Sequence, residues 1–153
     1  MKYYLLRLGV FTFLISLLCL SACNKEGRSE DEIIADFIED NNLQGNFVEN
    51  GLFVAIENPG NGDHPTIDDN VEVYYEGRYA SDGEVFDGNL NGDPISFPLT
   101  AVIEGWQKGI PYFGVGEKGW LIIPAGQAYG SFPPRDIRKD ATLAFYIELL
   151  NIN

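Results

Sequence analysis

At 153 residues the chain has length for one domain around a single core. Its formal net charge of −13 is the wrong sign for gripping a phosphate backbone, which excludes nucleic acid as a partner. Two cysteines and one histidine leave no Cys/His set for a structural zinc.

The N-terminus reads as a processing signal. Lys2 and Arg7 lead into an apolar run from Leu8 to Leu20, too short for a membrane span. The run closes on Leu20-Ser21-Ala22-Cys23, which resembles the bacterial lipobox. That resemblance implies that residues 1–22 leave as a lipoprotein signal peptide and that Cys23 is the lipidation site. Lys2 and Arg7 leave and no acid does, so the net charge moves from −13 to −15. Cys19 leaves as well, and one lipid-bound cysteine permits no internal disulfide. The charge keeps the domain off anionic headgroups while the lipid holds it near the membrane. Asn24 is not the aspartate that retains some lipoproteins at the inner membrane, which favours the outer membrane of a bacterial envelope.

Residues 23–50 are expected to form a tether and a short amphipathic helix. Asn24 to Glu30 is polar. Ser29 and Glu32 then make a capping-box pair, followed by Ile33, Ile34, Phe37 and Ile38 at helical spacing. Asn41-Asn42 and Gly45 stop the helix. So short a helix is marginal alone and needs a surface.

From Gly51 the period becomes two. Leu52–Glu57 reads as a strand, closed by a Pro/Gly/Asn turn. In the next strand Val71, Val73 and Tyr75 share the core face. Asp82-Gly83 is a tight turn before Glu84-Val85-Phe86. Ile95-Ser96-Phe97 is a short strand, and Val102–Lys108 gives two helical turns. Lys118–Ile123 and Thr142–Asn151 are the last strands, separated by a long loop from Gly126 to Asp140. On Lys118–Ile123, Leu121 and Ile123 face the core, which turns Trp120 and Ile122 outward, together with Tyr74 and Tyr146 of their own strands. So apolar an outer face needs a cover, and the helix stripe at Ile33–Ile38 is expected to supply it. The pattern predicts an α+β domain over residues 51–153: an antiparallel sheet wrapped on a short helix, with a short helix before it.

Equipment for covalent or metal-assisted chemistry is missing. His64 sits in a turn beside Pro65, and no Gly-rich phosphate loop joins a strand to a helix. Asp68-Asp69 and Glu30-Asp31-Glu32 lack calcium-loop spacing and read as solvated charge.

The functional signal lies in Val73-Tyr74-Tyr75-Glu76-Gly77, Asp82-Gly83-Glu84-Val85-Phe86-Asp87, Val102-Ile103-Glu104-Gly105-Trp106 and Ala128-Tyr129-Gly130, with Ala141-Thr142-Leu143-Ala144-Phe145 opening the last strand. Taken singly, each aromatic reads as core. In this order they resemble an FKBP-type peptidyl-prolyl cis-trans isomerase from about Gly51 to Ile152. The resemblance implies Trp106 as the floor of a pocket for the proline ring. It implies Tyr75, Phe86, Val102, Ile103 and Phe145 as walls, and Asp87 as the polar wall group. The Ile103 N–H and the Tyr129 hydroxyl would hold the substrate carbonyls, and Ile137 would stand over the mouth. Ile95 occupies a place where the family often has an aromatic. Gly88–Asp93 lacks the arginine that pairs with the wall aspartate in many members, so Asp87 is either more exposed or paired with another donor.

The resemblance further implies proline-containing polypeptides as partners, macrolides such as tacrolimus or rapamycin as pocket ligands, and no metal or cofactor. One short helix replaces the long helical dimerisation region of many relatives, so a monomer is expected. The alternative is a proline-segment-binding chaperone or scaffold with little turnover; the near-complete set of pocket residues favours the enzyme.

Overall fold

A computed structural model describes residues 27–60 and 62–153. The expected signal peptide, Cys23 and most of the expected tether lie outside the described residues.

The first element is α1, Glu30–Asp40, and its boundaries are set by side chains. The Ser29 hydroxyl accepts from the Glu32 N–H at 3.3 Å, and the Glu32 carboxylate accepts from the Ser29 N–H at 2.8 Å. This is the expected capping box, and it satisfies two donors that a helix start leaves open. At the other end the Asn41 side-chain amide donates to the Phe37 carbonyl at 2.8 Å, and Asn42 turns left-handed with φ 50°.

The strands are β1 (Asn46–Phe47), β2 (Phe53–Ile56), β3 (Asn70–Tyr79), β4 (Val85–Gly88), β5 (Ile95–Pro98), β6 (Lys118–Ile123) and β7 (Leu143–Ile152). They pair antiparallel throughout, in the order β1-β2-β6-β7-β3-β4, with β5 also on β3. Ten residues of β3 serve two partners on the edge away from β7: Asn70–Val73 pairs with β5, and Glu76–Arg78 with β4. At the handover Asn89 stands in for a strand. Its side-chain oxygen accepts from the Tyr75 N–H at 2.7 Å, and its amide donates to the Val73 carbonyl at 3.2 Å.

Alternation then assigns the two faces. Leu121 lies opposite Phe145 and Ile123 opposite Leu143, and all four are buried in the main core. That core also holds Val71, Val73, Leu99, Ile110 and Phe113, packed with α2, Glu104–Gly109. The helix sits hard against β6. A Cβ on Gly105 would run into Ile123 and one on Gly109 into Leu121, so glycine one turn apart permits the close approach.

The opposite face of the sheet carries a second core. Ile34 and Phe37 of α1 pack with Leu43, Phe53, Ala55, Ala80, Ile122 and Ala144, and Ile33, Ile38 and Trp120 lie against them. Phe37 meets Trp120 edge-on at 5.3 Å, and Trp120 meets Tyr146 at 5.3 Å. The expected docking of the apolar stripe on Trp120 and Ile122 is what the fold contains. Tyr74 is half-buried outside this cluster. Strand β1 was not expected: two residues carry no alternation to read, yet they pair with β2 before Gly51. Among the described residues no helix is long and apolar enough to cross a membrane.

Candidate active site

One end of the main core opens into a cavity of about 410 Å³. It is lined by Tyr75 from β3, Phe86 and Asp87 from β4, Val102 and Ile103 before α2, Trp106 on α2, Tyr129 from the long loop and Phe145 from β7. Eight of the nine residues expected for a pocket therefore meet around one space. Ile95, Phe97 and Ala101 complete the lining.

Trp106 is the hub. It is only 5 % exposed, and Tyr75, Phe97 and Phe145 close on it at 5.4, 5.3 and 5.1 Å between ring centroids. Tyr75 and Phe145 meet it nearly perpendicular, the arrangement favoured by ring quadrupoles. Phe86 stands on Phe145 at 5.7 Å and against Tyr79 at 5.0 Å. This contact needs Gly77, whose Cβ would strike both Phe86 and Phe145. Ahead of α2, the Gln107 side-chain amide donates to the Val102 carbonyl at 2.8 Å and fixes that turn. The Ile103 N–H, just before the first helical residue, makes no backbone bond among the described residues.

The polar wall is a coupled pair. The Tyr75 hydroxyl donates to the Asp87 carboxylate at 2.6 Å, and the other Asp87 oxygen accepts from the Gly88 N–H at 2.9 Å. Asp87 is thus exposed and also paired with a donor, the Tyr75 hydroxyl. Burial, then the hydrogen bond and charge of Asp87, push the Tyr75 hydroxyl well above the usual phenol range. Burial first, and the Asp87 charge second, raise Tyr129 as well. Both hydroxyls stay protonated, so Tyr129 stands at the cavity as a hydrogen-bond donor.

Ile137 does not line the cavity. It is half-buried and packs against the main core, as Tyr75, Phe86 and Tyr129 also do, and the chain on either side of it is tied to Tyr79. The Tyr79 hydroxyl donates to the Asp136 carbonyl at 3.3 Å and accepts from the Arg138 N–H at 3.1 Å. The Arg138 guanidinium covers the Tyr79 ring at 4.0 Å and pairs with Asp82 and Glu84 of the neighbouring hairpin. Neither this latch nor Asn89 was expected; side-chain bonds across such distances leave no local spacing signal. Among the described residues no group of three or more His, Cys, Asp or Glu is arranged to hold a metal ion.

The arrangement is an aromatic bowl with one carboxylate, one phenol donor and a backbone N–H at its rim. It suits an apolar ring with carbonyls on either side. The family model for FKBP-type peptidyl-prolyl cis-trans isomerases matches residues 62–150. The chain is 39% identical over 106 residues to the FKBP-type peptidyl-prolyl cis-trans isomerase FkpA of Aeromonas hydrophila, covering 69% of this chain and 39% of that protein. It is 38% identical over 109 residues to FK506-binding protein 1A of Aspergillus fumigatus, covering 67% of this chain and 96% of that one. Its fold is similar to the crystal structure of a peptidyl-prolyl cis-trans isomerase from Pseudomonas syringae, with a TM-score of 0.70 and 31% identity over 81% of this chain and 90% of that chain. The chain spans less than half the length of the FkpA relative.

Proposed function

The chain belongs to the FKBP-type peptidyl-prolyl cis-trans isomerase family, and from that premise we propose that it catalyses cis/trans exchange of X–Pro bonds in folding polypeptides. The convergence of Tyr75, Phe86, Asp87, Val102, Ile103, Trp106, Tyr129 and Phe145 on one cavity carries the reading.

The barrier to be lowered is about 18–20 kcal/mol, because the amide C–N bond has partial double-bond character. Unaided exchange takes tens to hundreds of seconds. When the amide twists, conjugation and charge separation are lost, so the twisted form loses less than the planar one on leaving water. An aromatic bowl therefore favours the transition state over the ground state. In this reading the proline ring lies on Trp106 between Tyr75, Phe86 and Phe145. Asp87, held by Tyr75, faces the twisted carbonyl or the proline nitrogen. The Tyr129 hydroxyl and the Ile103 N–H hold the flanking carbonyls, donors already in place before the amide turns. A millionfold acceleration asks about 8 kcal/mol of these contacts, with no bond made to the enzyme.

Proline-containing segments of secreted or envelope proteins are the proposed clients, and tacrolimus-like macrolides the proposed pocket ligands. Cys23 is the proposed lipid anchor of a monomer at the outer membrane; the lipobox-like Leu20–Cys23 supports this. Detergent partitioning tests it: Cys23→Ser is expected to leave the protein unprocessed or in the aqueous phase, and partitioning of mutant and wild type alike into the aqueous phase refutes the anchor.

For the activity itself, the slow phase of a proline-limited refolding substrate is expected to accelerate in proportion to added chain. An unchanged slow phase at stoichiometric, folded protein refutes turnover and leaves a proline-segment-binding chaperone or scaffold in its place.

A further inference from the structure

Glu30 is the first residue of α1 and lies outside the family-matched residues. One of its carboxylate oxygens accepts two hydrogen bonds across the molecule: from the Ala125 N–H at 2.6 Å and from the Thr142 hydroxyl at 3.0 Å. Those partners bracket the loop that bears Tyr129. Inside it, the Ala125 carbonyl accepts from Ala128 N–H at 3.1 Å and Gly130 N–H at 2.9 Å, and the Gly130 carbonyl accepts from Asp140 N–H at 2.9 Å. The bonds close a circuit: Glu30 to Ala125, to Gly130, to Asp140, along the chain to Thr142, and back to Glu30. Tyr129 sits within it, next to Gly130.

The circuit has a fixed footing. Ile34 and Phe37, further along the same helix, are buried on the sheet at 3 and 5 % exposure. Arg28, just before the cap, donates to the Ser81 carbonyl at 2.7 Å. Thr142 is itself buried, so water does not readily replace the carboxylate on its hydroxyl. Glu30 therefore props the loop from the helix side; the loop is also tied by the Gln127 side-chain amide to the Asn50 carbonyl at 2.6 Å, by Ser131 to Asp140 and by the Tyr79–Arg138 latch.

We propose that Glu30 is a positioning residue for the pocket: through the Ala125–Gly130 turn it sets where the Tyr129 hydroxyl meets the substrate carbonyl. The inference rests on the isomerase reading. It makes α1, outside the family-matched segment, part of the working site.

Steady-state kinetics on an X–Pro peptide, with the full chain as Glu30→Ala, Glu30→Gln and Asp31→Ala, test it. Glu30→Gln keeps an acceptor oxygen; Asp31→Ala removes the same charge from the same helical turn without touching the loop. A misplacement of one ångström costs up to about 100-fold, so the partial release in Glu30→Ala is expected to raise KM about tenfold. Tyr129 holds the carbonyl in ground and transition states alike, so kcat should change less. Glu30→Gln should restore most of the loss, and Asp31→Ala should show none. A mere loss of helix stability would instead lower the active fraction, cutting apparent kcat at constant KM and equally in Asp31→Ala. Amide exchange at Ala125 and Gly130, faster in Glu30→Ala with the fold intact, reads the same circuit without turnover. An active wild type with unchanged KM and exchange in Glu30→Ala overturns the proposal alone. A wild type without turnover overturns the isomerase reading and the proposal with it.

Discussion

Phe37→Ala should loosen α1 on the sheet, at a site outside the pocket lining. Phe37 is 5 % exposed and meets Trp120 edge-on at 5.3 Å and 68°. Truncating a buried phenylalanine costs about 3–5 kcal/mol. Of this, about 0.5–1.5 kcal/mol belongs to the edge-on aromatic contact. The floor of the site, Ile122 and Ala144, is fully buried on central strands and has little room to collapse. The helix above can settle a little, so the lower end, about 3 kcal/mol, is expected. That is a large share of the 5–15 kcal/mol typical of a domain. Urea unfolding followed by far-UV circular dichroism measures it, with the midpoint moving and the slope constant. Iodide quenching supplies the local readout. The chain has two tryptophans, and Trp106 stays enclosed in the pocket, so added quenching reports Trp120. Ile38→Ala, at a half-buried position, should cost about 1 kcal/mol. A loss below about 1 kcal/mol in Phe37→Ala, with quenching unchanged, would mean that the helix is not held on the sheet in solution. Glu30 would then have no footing either.

Asp87→Asn keeps the side-chain volume and removes the charge that receives the Tyr75 hydroxyl; it should lower kcat/KM about tenfold, as the loss of one charge-assisted hydrogen bond would. Phe86→Ala should also lower it, and full activity in both variants on a folded chain refutes the residue assignments. Gly105→Ala should destabilise by about 1–3 kcal/mol by pressing on Ile123, and adding Ile123→Val should return part of the lost melting temperature; a neutral Gly105→Ala refutes the close contact. The Glu117 carboxylate accepts from the Gly114 N–H at 2.9 Å and the Gly60 N–H, bonds that hold its pKa below the ordinary 4.5 against the opposing effect of burial. Its folded-state pKa is depressed, so its stabilisation is complete above the ordinary value and is lost as pH falls through the depressed one. Urea midpoints across the acid range should show this fall in the wild type and a weaker one in Glu117→Gln; identical profiles refute it.

The parts of this molecule that could be read in advance are those governed by periodicity. Period two on Lys118–Ile123 sorts Leu121 and Ile123 from Trp120 and Ile122, and the two pairs lie on opposite faces of the sheet, Trp120 only partly buried. Helical spacing from Ile33 to Ile38 left a stripe without a surface, and the outward pair left a surface without a cover. Joining them needed no knowledge of strand order, because each alone would expose a contiguous apolar patch. The pocket was legible for another reason: its residues come in fixed order on elements whose pairing brings them together. Gly77 lies opposite Asp87 on the β3–β4 ladder, which sets Phe86 and Asp87 beside the C-terminal half of β3, just past Tyr75.

What escaped was every feature that depends on one side chain reaching a distant polar group. The Tyr75–Asp87 bond, the Asn89 plug, the Arg138 latch and the Glu30 strut each join groups separated by 12 to 112 residues. None has a period, and Asp87, Asn89, Arg138 and Glu30, taken alone, read as solvated surface groups. Ile137 illustrates the consequence. Its apolar character is evident, but whether it looks into the cavity or onto the core depends on Tyr79 holding the backbone at Asp136 and Arg138. Alternation says which face a strand residue occupies; it cannot say how a loop lies over that face. The cavity's floor is therefore determined by the sheet and α2, whereas its rim is determined by polar ties. Substrate preference should follow the rim, and there Tyr129 is tied through the Ala125–Gly130 turn to Glu30, which lies outside the family-matched residues.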